Sequence, residues 1–207
     1  MSTELFEAIE TYDLARLAAL LDGGADPNAV KADGPRWLPL HAAVNELEDG
    51  GPIEALILLL RHGAHVDGLD ADRDATPLLL ALFRKQPEAA RILLAAGADP
   101  NFRGGEGDSP LRVCVEQGAL EMAALLLRCG ATQSLDDAGG MSGMTALGRA
   151  ASRLDIPMIE LLLGAGADPE VLDTDRQTAR EHLPPRGPDN QEAWDAAAAL
   201  LAGRSHG

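Results

Sequence analysis

Residues 93–98, which read Leu-Leu-Ala-Ala-Gly-Ala, carry the pattern that decides the fold of this 207-residue chain. The same Leu-Leu-x-x-Gly-Ala pattern occurs five times, with its glycine at positions 24, 63, 97, 130 and 166. Successive glycines are therefore separated by 39, 34, 33 and 36 residues. A nearly constant period in this range is typical of one supersecondary unit that is stacked repeatedly. The pattern predicts a solenoid.

The residues that surround this stretch predict a helix–turn–helix unit. Thr76-Pro77 opens a short helix, because threonine can cap a helix and proline is tolerated in its first turn. Gln86-Pro87 turns the chain, and a second helix is predicted over 88–96. Gly97 then ends that helix, since glycine adopts the left-handed backbone of a C-terminal cap without steric cost.

The other units repeat this plan with small changes in length. From the opening proline or alanine to the cap glycine the distance is 20 residues in three units (77→97, 110→130 and 146→166). It is 24 residues in the second unit (39→63), which places a four-residue insertion around 48–52, and 24 again at the C-terminus (179→203). The helices hold their length while the loops vary, as expected if the helices form the core and the loops lie on the surface.

With its openings and endings taken together, the chain resembles the ankyrin repeat family. That family pairs a Thr-Pro-Leu-His-x-Ala opening with a Leu-Leu-Leu-x-x-Gly-Ala-Asp ending, and the likeness runs from about Leu5 to Gly203. It implies an all-α solenoid of stacked helix–turn–helix units with loop or β-turn fingers. We expect one domain over 1–207, divided into an N-terminal cap (1–33), four repeats (34–67, 68–101, 102–134 and 135–170) and a C-terminal cap (171–207). The resemblance also implies that His41 hydrogen-bonds the backbone.

The composition limits the classes of partner. Net charge is −16 and the pI is about 4.5, so nucleic acid and anionic membranes are disfavoured, because both are bound through lysine and arginine. A cationic partner protein would be attracted and its encounter accelerated. The alternative interpretation is that the excess acid only keeps the protein soluble.

The location and redox state are predicted from what the sequence lacks. The first residues contain no basic segment followed by an apolar one, and no apolar run approaches the ~20 residues that span a bilayer. Cys114 and Cys129 do not have CxxC spacing. We therefore expect a soluble cytoplasmic protein, monomeric when free, with two buried free thiols.

No motif in the sequence predicts catalysis. His62 and His65 flank Gly63, but this spacing across a helix end does not define a metal site, and His182 is isolated. The glycine-rich segment 104–108 lacks the Lys-Ser/Thr of a phosphate-binding loop, and 70–74 lacks the later ligands of a calcium loop. We expect no enzyme activity, no cofactor and no metal.

The resemblance implies that partners meet the concave side, formed by the loop tips and the exposed flank of each first helix. Counted from the opening residue of each unit, these places give a predicted partner-binding set: Trp37, Asn45, Glu46, Asp72, Arg73, Phe83, Arg84, Glu106, Asp108, Glu116, Met141, Met144 and Arg153. Aromatic, arginine and methionine side chains are favoured at protein interfaces. The alternative is that Trp37 and Met144 fold back onto their own helices.

The sequence thus predicts a non-catalytic protein-binding module whose partner has a basic face. The small acidic repeat array suggests a bacterial immunity protein that neutralises a toxin. The alternatives are a general scaffold or adaptor, a stress-related accessory protein, and an effector delivered to a host cell.

Overall fold

A computed structural model describes residues 2–31, 36–70, 75–105, 107–139 and 142–202. Within these ranges the chain contains helices and turns and no β-strand. It divides into two compact units, 1–105 and 106–207, with the boundary inside a loop. No helix in the described ranges is both long enough and apolar enough to cross a membrane.

Unit 1 consists of three helix pairs arranged in two layers. The first helices of the pairs contact one another in the order α1, α3, α5, and the second helices contact one another in the order α2, α4, α6. A 3₁₀ turn, Leu47–Asp49, lies between α3 and α4. The helices are α1 (Ser2–Glu10), α2 (Leu14–Asp22), α3 (Pro39–Glu46), α4 (Ile53–Arg61), α5 (Pro77–Phe83) and α6 (Pro87–Ala95).

Unit 2 has the same two-layer plan. α7 contacts α9, which contacts the 3₁₀ helix Ala179–His182, while α8 contacts α10 and α10 contacts α11. The last helix comprises Gln191–Ala202. The helices are α7 (Pro110–Gln117), α8 (Leu120–Arg128), α9 (Ala146–Ser152), α10 (Ile156–Ala165) and α11 (Gln191–Ala202).

The predicted helix openings are confirmed by side-chain caps. The hydroxyl oxygens of Thr76, Ser109 and Thr145 each accept a hydrogen bond from the backbone N–H three residues later, at 3.2, 3.3 and 3.0 Å. These caps satisfy N–H groups that have no partner inside the helix.

The repeated pattern is a helix C-terminal cap. All five of its glycines are left-handed, with φ between +86° (Gly24 and Gly63) and +104° (Gly166). After each glycine, the alanine N–H donates to the carbonyl of the first leucine at 2.9–3.0 Å, and the glycine N–H donates to that of the second at 3.0–3.2 Å. This pair of bonds is the Schellman arrangement, so each copy ends a helix and redirects the chain.

In four of the five copies the first leucine of the pattern lies in the core of the second-helix layer, whereas in the first copy Leu20 is half-buried and Leu21 is buried. Leu59, Leu93, Leu126 and Leu162 are completely buried. The first helices are buried along nearly their whole length, as Pro77–Leu82 shows. Helices of seven to ten residues are marginal alone, so packing between the layers holds them in place.

Side chains in the loops link successive repeats within each unit. Asn28 Oδ1 accepts the N–H of His65 at 2.7 Å, and Asp67 Oδ1 accepts that of Asp99 at 2.9 Å. In unit 2, Asp136 Oδ1 accepts the N–H of Asp168 at 2.9 Å. Each bond fixes the spacing of two neighbouring loops.

The prediction of two buried thiols is wrong for one of them. Cys114 is buried in α7, and burial raises the pKa of its thiol to about 12. Cys129 is exposed because it is the residue that caps α8, directly before the left-handed Gly130. The pattern places this residue on the outer end of the second helix, as it does His62 in unit 1.

The cap glycines provide a direct stability test. A Cβ added to Gly97 would meet no heavy atom within 4 Å, so Gly97→Ala tests the left-handed backbone alone. We expect a loss of about 1–2 kcal/mol in the free energy of unfolding, measured in urea. The matched control is Gly164→Ala, which is equally open but lies within α10; it should gain about 0.5–1 kcal/mol. Equal effects would contradict the cap.

Candidate partner-binding surface

The end of α5 presents an exposed aromatic side chain. Phe83 is 46% exposed, although six residues after the opening position the other repeats carry the polar residues Asn45, Glu116 and Ser152. Phe83 therefore offers accessible apolar area at a position where the other repeats do not.

The four-residue insertion of the second unit lies beside this phenylalanine. Its 3₁₀ turn carries Glu48, whose Oε2 accepts a hydrogen bond from Arg84 Nη1 at 2.5 Å. On the other side, the hydroxyl of Tyr12 donates to Glu46 Oε2 at 3.4 Å and contacts the carbonyl of Asp49 at 3.5 Å. The insertion therefore bridges the ends of α1, α3 and α5.

The electrostatics of this region are acidic. Partial burial, followed by the carboxylates of Glu46 and Asp49, raises the pKa of Tyr12. Of the three carboxylates Glu46, Glu48 and Asp49, Glu48 is the one that pairs with Arg84 in the described residues. We use the name unit 1 flank for the surface formed by Tyr12, Glu46, Glu48, Asp49, Phe83 and Arg84.

Trp37 lies in the loop that precedes α3 and is half-buried. Its carbonyl accepts the N–H of Lys31 at 2.9 Å, which closes the loop. Lys31 in turn pairs with the carboxylate of Glu10 and lies 5.7 Å from the centre of the Phe6 ring. Trp37 thus combines a role in its own loop with a partly accessible ring.

In unit 2 a buried arginine joins α7 to the following loop. Arg112 stands at the histidine position of the family opening and is 7% exposed. Its Nη1 donates to the carbonyl of Met144 at 3.1 Å and its Nη2 to Ser142 Oγ at 3.5 Å. The carboxylates of Asp108 and Glu116 lie 3.6 and 3.8 Å from the guanidinium. Met144 is half-buried, held through its backbone rather than its side chain.

Glu116 connects α7 to α9. Its Oε2 accepts a hydrogen bond from Arg149 Nε at 2.7 Å, and its carbonyl accepts one from Arg153 Nη1 at 2.6 Å. Arg153 also lies 3.5 Å from the carbonyl of Val115, so its guanidinium caps the last turn of α7. We call Arg112, Glu116, Arg149 and Arg153 the unit 2 flank.

Most of the predicted site residues can be located in one unit or the other. Unit 1 contains Trp37, Asn45, Glu46, Phe83 and Arg84, and unit 2 contains Asp108, Glu116, Met144 and Arg153. Four further predicted residues lie outside the described residues: Asp72, Arg73, Glu106 and Met141. Arg112 and Arg149 were missed by the sequence reasoning. A signal existed, since both replace residues that the other repeats bury.

Histidine placement corrects one expectation and confirms another. His41 Nε2 lies 3.0 Å from the carbonyl of Ala75, so its predicted backbone bond is present. The prediction that His182 is isolated is wrong, because its Nε2 lies 2.5 Å from Oδ2 of the buried Asp173. Its ring covers Gly148, where a Cβ would come within 3.0 Å. The C-terminal cap thus fills a gap that glycine leaves at the histidine position.

Asp173 is held ionised by its surroundings. Burial alone would raise its pKa, but hydrogen bonds from the N–H groups of Gln177 and Asp175 and from the His182 ring outweigh burial and lower the pKa. The group is therefore structural. Within the described ranges, no three His, Cys, Asp or Glu side chains are arranged to hold a metal ion.

The family model for ankyrin repeats matches residues 5–104 and 93–173, with three copies. The chain belongs to the ankyrin repeat family. It is 40% identical over 96 residues to NF-kappa-B inhibitor alpha of Sus scrofa, a match that spans 45% of this chain and 31% of that protein.

Two solved structures of ankyrin-type architecture match almost the whole chain. One is a chain from the complex of the predatory endopeptidase Bd0816 of Bdellovibrio bacteriovorus with the immunity protein Bd3460, at 26% identity, TM-score 0.70 and 96% coverage of both chains. The other is the ankyrin repeat protein EF0377, at 24% identity, TM-score 0.77 and 98% coverage of both, a likeness of fold alone.

The buried Asp173 should contribute strongly to stability. Asp173→Ala leaves His182 and two N–H groups without their acceptor, and we expect a loss of about 2–4 kcal/mol in the free energy of unfolding at pH 7. The control Asp175→Ala removes an exposed carboxylate and should change it by less than about 0.5 kcal/mol.

The lowered pKa of Asp173 also predicts how the free energy of unfolding changes with pH. Because its folded pKa lies below the unfolded one, the unfolded state takes up the proton first, and stability falls as the pH drops below about 4. Urea unfolding at several pH values should show a shallower acid loss in Asp173→Ala. An unchanged slope would contradict the assigned role.

Proposed function

We propose that this protein is a non-catalytic binding module that neutralises a partner enzyme, in the manner of an immunity protein. The observation that carries the proposal is the likeness over 96% of the chain to a chain from a complex between an endopeptidase and an immunity protein. NF-kappa-B inhibitor alpha, named as an inhibitor of another protein, supports the same class of role. Ankyrin repeats bind other proteins.

The unit 1 flank supplies the first contact of the proposed interface. Phe83 offers accessible apolar area, and an aromatic ring buried at the centre of an interface commonly contributes a large share of the affinity. The neighbour of Phe83 in sequence, Arg84, pairs with Glu48, so the acidic residues Glu46, Glu48 and Asp49 belong to the same region. A partner with a basic face fits this arrangement, because complementary charge steers the encounter and fixes the register.

Beyond the unit 1 flank, we place the interface on Trp37 and Asn45, on the unit 2 flank and on the loop that ends at Met144. We also keep in the proposed interface the four loop residues that were predicted from the sequence: Asp72, Arg73, Glu106 and Met141. We place the free protein in the cytoplasm of a bacterium as a monomer. A scaffold or adaptor that binds without inhibiting is the second candidate, since the same surface would serve it.

The proposal predicts that a secreted endopeptidase is encoded near the gene for this chain, and that enzyme, once purified, is the partner to test. Binding is measured by calorimetry and inhibition by cleavage of a peptide substrate. Phe83→Ala should weaken binding by about 2 kcal/mol or more, roughly thirtyfold in Kd, because the ring would be lost from a desolvated contact. Its stability should change little, since the side chain is half exposed in the free protein.

The matched control is Leu172→Ala, which removes an equally exposed apolar side chain, 50% accessible, from a position outside the predicted set. It should bind like the parent chain. Binding without inhibition would favour the scaffold. Loss of stability in Phe83→Ala with unchanged binding would remove Phe83 from the interface.

A further inference from the structure

Unit 2 departs from the repeat at a position that the other repeats bury. Three residues after the opening residue lie Ala42, Leu80 and Val113, all at most 5% exposed. Arg149 occupies this position in the fourth repeat, and its side chain is 35% exposed. A charged side chain at a position that the other repeats fill with apolar residues makes fewer core contacts. Its presence is therefore not explained by packing of the core.

The guanidinium groups of Arg149 and Arg153 are held in place but only partly used. Glu116 binds Arg149 through Nε and Arg153 through Nη1. The Nη1 and Nη2 atoms of Arg149 form one edge of its guanidinium group. Neither atom makes a hydrogen bond to a described residue. The Nε–Nη2 edge of Arg153 is likewise unused within the described residues. Arg149 lies on α9 and Arg153, four residues later, is the residue that caps the C-terminal end of that helix, so the two lie on the same side of it.

The charge around these edges is set by a few groups. Asp108 is paired with Arg112 at 3.6 Å, and the Glu116 carboxylate is shared by Arg112 and Arg149, while Arg153 bonds the backbone carbonyl of Glu116. Asp155, after α9, accepts the N–H of Met158 at 3.2 Å as a helix cap. Asp108, Glu116 and Asp155 each have at least one carboxylate oxygen engaged in this way, and Asp155 Oδ2 lies in the neighbourhood of Arg153 Nη2, since both would be within 4.0 Å of a Cβ added to Gly118. A planar guanidinium edge favours a carboxylate, which it can bind through two parallel hydrogen bonds.

We propose that the unit 2 flank binds a carboxylate group of the partner, supplied by an aspartate or glutamate side chain. The inference rests on the proposed function, which it extends: the partner presents basic residues to the unit 1 flank and an acidic residue to Arg149 and Arg153. Because Glu116 and the end of α7 already orient both arginines, little side-chain freedom is lost on binding.

The test uses glutarate as a probe that mimics a glutamate side chain. Nε–Hε resonances of the arginines are followed by NMR in the full chain as glutarate is added. Arg149 and Arg153 should shift in a saturable way at millimolar concentration. The double variant Arg149→Gln/Arg153→Gln should raise the apparent Kd at least about tenfold, through loss of the charge-assisted pairs.

Two further variants make the test specific. Glu116→Gln keeps a side-chain oxygen that can accept from Arg149 and the carbonyl that accepts from Arg153, so the arginines stay oriented while the competing charge is removed, and glutarate binding should tighten. Arg186→Gln is the matched control, because both Nε and Nη2 of Arg186 are engaged by Asp195 at 2.8 and 2.7 Å; it should leave glutarate binding unchanged.

Three results would overturn the inference. They are equal shifts at every exposed arginine, no saturable shift at Arg149 and Arg153, and tighter binding of inorganic phosphate than of glutarate at the same resonances. Glutarate binding is measured without the partner, so its failure leaves the endopeptidase experiment intact. Conversely, a failed endopeptidase experiment would leave the measured carboxylate site standing.

Discussion

The rest of the structure depends on the left-handed glycine that ends each second helix. At Gly97 the backbone has φ +93°, and the two N–H groups at the cap close onto the carbonyls of Leu94 and Leu93. The leucine that accepts the bond from Ala98 is also completely buried. One short pattern therefore ends a helix, redirects the chain into a loop and anchors the core. Repeating it produces layers, because short helices are stable only when packed on their neighbours.

The sequence predicts the periodic part of the molecule well. Thr76, Ser109 and Thr145 cap the helices that begin at the opening positions counted from the sequence. Aperiodic contacts escaped prediction because they join residues far apart in sequence. Asp173 and His182 are 9 residues apart, and nothing in that spacing indicates that their side chains pair or that the His182 ring covers Gly148. Cys129 was misjudged because the pattern fixes where a helix ends and not how exposed its last residue is.

The candidate site was predicted only as a set of positions. Counting from the opening residue found Phe83, whose exposure the structure shows, but it could not find Arg149, since the count assigns that position to the core. The insertion after α3 was recognised by length alone. Its contacts with Tyr12 and Arg84 emerged only from the packing of three helices. In both units the residues that depart from the repeat, such as Glu48 and Arg149, add contacts between neighbouring repeats that the repeated pattern does not predict.

Hydrogen exchange of the complex with the partner endopeptidase tests most directly whether the partner binds at the residues that depart from the repeat. The account predicts that partner binding slows exchange at the 3₁₀ turn Leu47–Asp49 and at the ends of α5 and α9. Exchange in the second-helix layer, α4 and α6 in unit 1 and α8 and α10 in unit 2, should stay unchanged. Protection confined to that layer, with none at α5 or α9, would contradict the account.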